Sequence, residues 1–161
     1  MSDFTFEGSI ASTDYSGIGE SSGETFIGRF SFKCVLSPFD RIRADSKRRE
    51  LLGSTNPHLA SKEAQNASFA LSELKFRVVA SPDFYKNREI DGGHLDYNII
   101  IELINMAIDA EERFKVKQQE RLEATQKRLA SAIRKKKIKK EEAGIAEEVS
   151  PENVMEVDLD E

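Results

Sequence analysis

From Phe26 to Leu36 the chain alternates. Phe26, Phe30, Phe32, Cys34 and Leu36 are apolar, and Arg29, Ser31 and Lys33 between them are polar. A period of two predicts one half-buried strand. A lone strand would leave backbone groups unpaired. Its mate is therefore expected in the N-terminal residues, in a short segment near Ile90, or in another chain. Elsewhere the spacing is three and four, which predicts helices. Ser37-Pro38-Phe39-Asp40 supplies a cap, a first-position proline and a first-turn acid, so a helix is expected from there to Leu52, with Gly53 as its stop. A loop follows at residues 54–57. Ser61 opens a second helix with the stripe Ala64, Ala67, Leu71, Leu74 and Val78, widened by Phe69 and Phe76 and ended by Ser81-Pro82. After a turn-rich stretch over 83–95 with Gly92-Gly93, Asp96 opens a third helix with the stripe Ile100, Leu103, Ala107, Ala110 and Phe114.

Beyond Phe114 the apolar line thins to Leu122, Thr125, Leu129, Ala132 and Ile133, and neither Gly nor Pro interrupts residues 97–143. The helix is expected to continue as a solvated rod. Residues 1–25 hold five acidic and no basic side chains, with Gly8, Gly17, Gly19 and Gly23. This composition predicts a flexible arm. The expected fold is therefore mainly α: a small three-helix domain with one N-terminal β-strand or hairpin and a long protruding C-terminal helix. Its parts are an acidic Gly/Ser-rich arm (1–25), a helical core domain (26–114), a basic extended helix (115–140) and an acidic disordered tail (141–161). Expected core residues are Phe30, Phe32, Ile42, Leu51, Leu71, Leu74, Val78, Ile100, Leu103, Ala107 and Phe114.

At 161 residues there is room for one compact domain, which argues against a multidomain enzyme. Cys34 has no internal partner for a disulfide, and His58 and His94 are too few for most zinc sites, so no metal or cofactor is expected. No stretch approaches the ~20 apolar residues that span a bilayer, and the first residues lack the basic start and apolar run of a secretion signal. A nucleophile elbow, a phosphate loop, a dinucleotide fingerprint and a helical His-Glu-x-x-His are missing. Asp91-Gly92-Gly93-His94 is read as a turn, Cys34 as a small core hydrophobe, and Asn66-Ala67-Ser68 as part of a helix. No catalytic residue is assigned, and the expectation is a non-enzyme.

The net charge of −5 hides a sharp segregation. Residues 115–140 carry eleven basic against two acidic side chains, and residues 141–161 carry nine acidic and no basic ones. Two functions compete for this region. The line of Leu122, Leu129 and Ile133 suits a partner's groove or a coiled coil, and Phe4 and Phe6 in the arm are candidate anchors of the same kind. Self-association is one version of this. Alternatively Arg134, Lys135, Lys136, Lys137, Lys139 and Lys140 would neutralise phosphates, giving sequence-blind, salt-dependent contact with nucleic acid. The acidic tail, tethered directly after them, would then compete for the same cations.

Leu36-Ser37-Pro38-Phe39-Asp40, Ala44-Asp45, Arg49-Glu50-Leu51-Leu52-Gly53, the run Phe69-Ala70-Leu71-Ser72-Glu73-Leu74-Lys75-Phe76-Arg77-Val78-Val79 and Ser81-Pro82-Asp83-Phe84 together resemble small proteins of tailed bacteriophages. These are encoded among virion and tail assembly genes, and some are similar to tail assembly chaperones. The resemblance covers about residues 28–114. It implies a structural or assembly protein with other phage structural proteins as partners, in the virion or the host cytoplasm. It carries no active-site residue across.

Overall fold

The computed structural model describes residues 3–53, 59–86 and 95–142, with side chains in the last stretch through Lys136 and at Ile138. The described chain divides into two units, Met1–Gln118 and Gln119–Glu161. The loop at 54–57, the Gly92-Gly93 turn and the acidic tail beyond Glu142 lie outside the described residues, as do Ile90, His58 and His94.

The first unit is α+β, not mainly α. Strands β1 (Thr5–Glu7), β2 (Ile10–Ile18) and β3 (Thr25–Lys33) are followed by helices α1 (Pro38–Leu52) and α2 (Lys62–Arg77). Then come β4 (Val78–Ala80), the one-turn α3 (Asp83–Lys86) and α4 (Tyr97–Glu142), which contributes residues to both units. The strands form an antiparallel sheet in the order β1-β2-β3-β4. The mate of the 26–36 strand is thus the N-terminal segment expected to be flexible, joined on the other side by residues expected to end a helix.

Both corrections have a physical cause. In β2 the inward residues are Ala11, Thr13, Tyr15 and Gly17, set opposite Phe32, Phe30, Gly28 and Phe26. Small or polar inward residues blur the period-two signal, and the phenylalanines across the ladder supply the burial. Ser9 O accepts from Cys34 N at 2.8 Å, extending the ladder, and Gly8 turns the β1–β2 hairpin at φ 58°. At the other correction, α2 stops at Arg77, and Val78-Val79-Ala80 takes the extended geometry that its β-branched pair favours, with Val78 opposite Phe32 and Ala80 opposite Ser31.

Capping follows the sequence closely. Ser37 accepts from Asp40 N and Ser61 from Ala64 N, and Gly53 closes α1 at φ 63°. The side chain of Asp96 takes another role: it accepts from the N–H and hydroxyl of Ser22, while Asn98 donates to Ile18 O and accepts from Glu20 N. The β2–β3 turn is tied in this way to the start of α4.

The core lies between the inner sheet face and the buried sides of α2 and α4. Phe30, Phe32, Leu74, Ile100, Leu103 and Ala107 are buried as expected, and Leu51, Leu71, Val78 and Phe114 are partly buried. Ile42 is not a core residue, being 62% exposed. Of α1 only Ala44 is fully buried, and Phe39 and Ile42 stay in solvent with the Arg43 guanidinium 4.3 Å from the Phe39 ring centroid. On α2 the helix phase differs from the expected stripe. Ala64 is exposed, and Ser68 and Ser72 are buried with their hydroxyls returned to Gln65 O and Phe69 O.

Beyond the end of β4, Pro82 and Phe84 pack on β3. Pro82 lies against Gly28, and the Phe84 ring is 5.2 Å from Phe26 and 5.9 Å from Phe30. A methyl group at Gly28 would collide with Pro82. Gly28→Ala is therefore expected to cost about 1–3 kcal/mol by overpacking, read as a lowered urea midpoint at unchanged m-value. No loss of stability would show that Pro82 moves away freely.

The second unit is described as the continuation of α4 from Gln119 to Glu142. Every described side chain in it is exposed.

Candidate functional site

Two surfaces stand out, one in each unit. The sequence pointed to the first. Leu122, Leu129 and Ile133 are helical, 57%, 59% and 66% exposed, and separated by seven and four residues, so they share one side of the helix, with Ile138 45% exposed further along. Thr125 and Ala132 fill the positions between them. Arg134, Lys135 and Lys136 are exposed on the same helix, whereas the side chains of Lys137, Lys139 and Lys140 lie outside the described ones. The segment is built from strong helix formers and steadied by the i,i+4 bond from Gln119 Nε2 to Glu123 Oε1 at 3.1 Å, and the Thr125 hydroxyl is returned to Arg121 O at 2.8 Å.

Phe4 and Phe6, the other expected anchors, are placed differently. Both are half-buried within the first unit, beside Ala11, Cys34 and Ala110. Phe6 stacks on Phe114 at 6.4 Å, the Arg113 guanidinium lies 5.2 Å from the Phe4 centroid and the Lys117 ammonium 4.4 Å from that of Phe6. These rings already have a surface to cover.

The sequence did not point to the second surface. Along the margin of β2 that faces away from β3 runs an open groove of about 340 Å³, lined by Asp14, Tyr15 and Ser16 from β2 and by Glu102, Asn105 and Met106 from α4. Helix and strand run alongside each other here: Asn98 bonds Ile18 at one end, and Phe114 meets Phe6 near the other. Between them Tyr15 donates its hydroxyl to Glu102 Oε2 at 2.7 Å. Burial first, then the hydrogen bond and negative charge of Glu102, push the Tyr15 hydroxyl well above the ordinary phenol range. It keeps its proton at neutral pH and orients the Glu102 carboxylate at the groove. The one signal that could have revealed this place is Asp14-Tyr15-Ser16 in a faint period-two run, since the helix side of the groove is contributed from nearly ninety residues away.

Arg77 joins a buried ion network rather than a surface. Its Nε meets Glu73 Oε2 and its Nη2 meets Glu111 Oε2, each at 2.7 Å, and Lys115 Nζ reaches Glu111 Oε1 at 2.6 Å. Burial pushes the nearby Cys34 thiol up, so it stays protonated and behaves as a small core residue. Among the described residues no group of three or more His, Cys, Asp or Glu side chains is placed to hold a metal ion, and no described helix is long and apolar enough to cross a membrane.

No family model matches this chain, and neither a curated protein nor a solved structure does.

Proposed function

We propose that the protein is a non-enzymatic structural or assembly protein of a tailed bacteriophage, which binds other virion proteins through the C-terminal segment of α4. The observation that carries the binding reading is the exposed line of Leu122, Leu129 and Ile133. Large apolar side chains repeated on one side of a solvent-exposed helix gain stability when a partner covers them. The surrounding charge names the partner's character. A second copy in register would set basic blocks against each other, so an acidic groove on a different protein is the better complement. The phage setting comes from the residue-level resemblance over about residues 28–114.

The test is co-purification of the tagged full chain with other virion proteins from cells producing the particle. Leu122→Asp with Leu129→Asp is expected to lower recovery of those proteins at least tenfold while the melting midpoint of the first unit is unchanged. Undiminished recovery would overturn the reading.

The exposed Lys127, Arg128, Arg134, Lys135 and Lys136 favour one alternative, a nucleic-acid-associated accessory or scaffolding factor. Under that alternative the full chain binds duplex DNA at low salt, with affinity falling linearly in log–log form as salt rises, and removal of residues 127–161 abolishes the binding.

A further inference from the structure

We infer that the β2 margin accepts an extended segment of another protein as an added strand, with a lysine or arginine of that segment beside Asp14 on the outward face of the sheet. This rests on the reading of the protein as one that works by binding other proteins.

The first support is the ladder itself. β2 has nine residues and β1 pairs with only Ile10, Ala11 and Ser12, so among the described residues no strand lies beside Thr13–Ile18 on the side away from β3. The direction of the backbone groups follows from the alternation of an antiparallel pair. Ser9 O and Gly19 N are bonded toward β3 and its turn, at Cys34 N and Glu24 O, so odd positions of this strand face β3. Even positions face away, and Ile18 O does so, accepting from Asn98 Nδ2 at 2.9 Å. Asp14 and Ser16 therefore turn their N–H and C=O groups to the groove, where among the described residues the one contact is a long 3.4 Å one from Thr13 Oγ1 to Asp14 O.

Contrast with the opposite margin is the second support. There β4, Pro82 and Phe84 pack along β3, the usual way a sheet protects its edge. The β2 margin has no such cover among the described residues, but it has a wall, because Glu102, Asn105 and Met106 of α4 form the far side of the groove. A strand edge beside a helix supplies backbone hydrogen bonds for affinity and a side-chain trough for selectivity.

The occupant follows from charge. Asp14 and Glu102 line the groove, and Arg29, opposite Asp14 in the ladder, donates to Thr5 Oγ1 at 3.1 Å. A second copy pairing through the same margin would bring Asp14 close to its own equivalent, so a cationic segment of a different protein is the occupant.

The experiment uses the isotope-labelled full chain and two synthetic octapeptides, one alternating lysine with valine and one alternating glutamate with valine. The lysine peptide is expected to shift the amide signals of Asp14, Ser16, Glu102 and Asn105. Asp14→Lys should weaken this binding at least tenfold. Ser16→Pro removes an outward-facing donor without touching the β3 ladder and should abolish it; methylating the peptide's own backbone nitrogens should do the same with the protein unchanged. Equal binding of the glutamate peptide, shifts confined to other residues, or no shift at millimolar peptide would overturn the inference. None of these readouts depends on Leu122 or Leu129, so failure here leaves the helix-docking reading standing, and failure there leaves this one.

Discussion

Replacing Phe30 by alanine is expected to lower the unfolding free energy by about 3–5 kcal/mol, the range for a large aromatic residue removed from a packed core. Phe30 is fully buried. Its ring is T-shaped to Tyr15 at 5.9 Å, stacked on Phe32 at 5.8 Å, and T-shaped to Phe84 at 5.9 Å and Tyr85 at 5.3 Å. The substitution therefore withdraws partners from β2, β3 and the α3 turn together. Since small domains are stable by only ~5–15 kcal/mol, a sizeable unfolded population should follow. Urea unfolding followed by circular dichroism measures it. Ile27, on the outward face of the same strand and 68% exposed, is the control, and Ile27→Ala should change stability by less than about 0.5 kcal/mol. A Phe30→Ala cost under about 1.5 kcal/mol would mean that the sheet and helices do not share one core.

The second large effect concerns the ion network between α2 and α4. Glu111→Leu is expected to cost about 3–5 kcal/mol, because it leaves the Arg77 guanidinium buried with one of its two carboxylate partners gone. Arg77 is 6% exposed, and among the described residues its Nη1 has no hydrogen-bond partner even in the intact network. Lys115 and Arg41, whose side chains are largely exposed, contribute little to this figure. The melting midpoint should fall by more than about 10 °C. The triple variant Glu73→Gln, Arg77→Met and Glu111→Leu separates charge from packing, because neutralising all three ions of the network recovers most of the loss. A triple variant as unstable as the single one would show that packing, not an uncompensated charge, is responsible.

The same network sets a pH dependence. Burial opposes the charge on Glu111, but hydrogen bonds from Lys115 and Arg77 and their positive charges outweigh it, so its carboxyl titrates below the ordinary 4.5. A group whose value is depressed by folding contributes stability that is fully present above its unfolded value and is lost as pH falls through the folded one. Wild-type stability from this source should be level from neutrality to about pH 5 and decline below about pH 4.5. In Glu111→Gln that part of the acid-induced decline should be missing.

Particular residues show how far the sequence could be read. Ser37, Pro38, Gly53 and Ser61 mark helix ends through contacts within three or four positions, and the structure places helix ends at all of them. Ile100, Leu103 and Ala107 mark a buried face because helical spacing alone brings them together. β2 was illegible for the opposite reason. Thr13 is 3% exposed because Phe30 lies across the ladder from it, and nothing in the residues around Thr13 records that neighbour. Ser68 and Ser72 have a polar pattern yet are buried, since each hydroxyl is satisfied by its own helix. The groove was less legible still, because Tyr15 and Glu102 meet across 87 positions.

By itself, then, the order of residues determined what depends on short separations: where helices begin and end, which of their faces are apolar, and the segregation of charge near the C-terminus. Tertiary structure alone decided that the N-terminal segment joins a sheet, that Arg77 and Glu111 become a buried pair, and that Asp14 and Glu102 line one trough. The physical reason is that strand pairing, burial of small or polar side chains and convergence of charges are all conferred by distant partners, whereas capping and helical periodicity are closed within a turn or two of the chain.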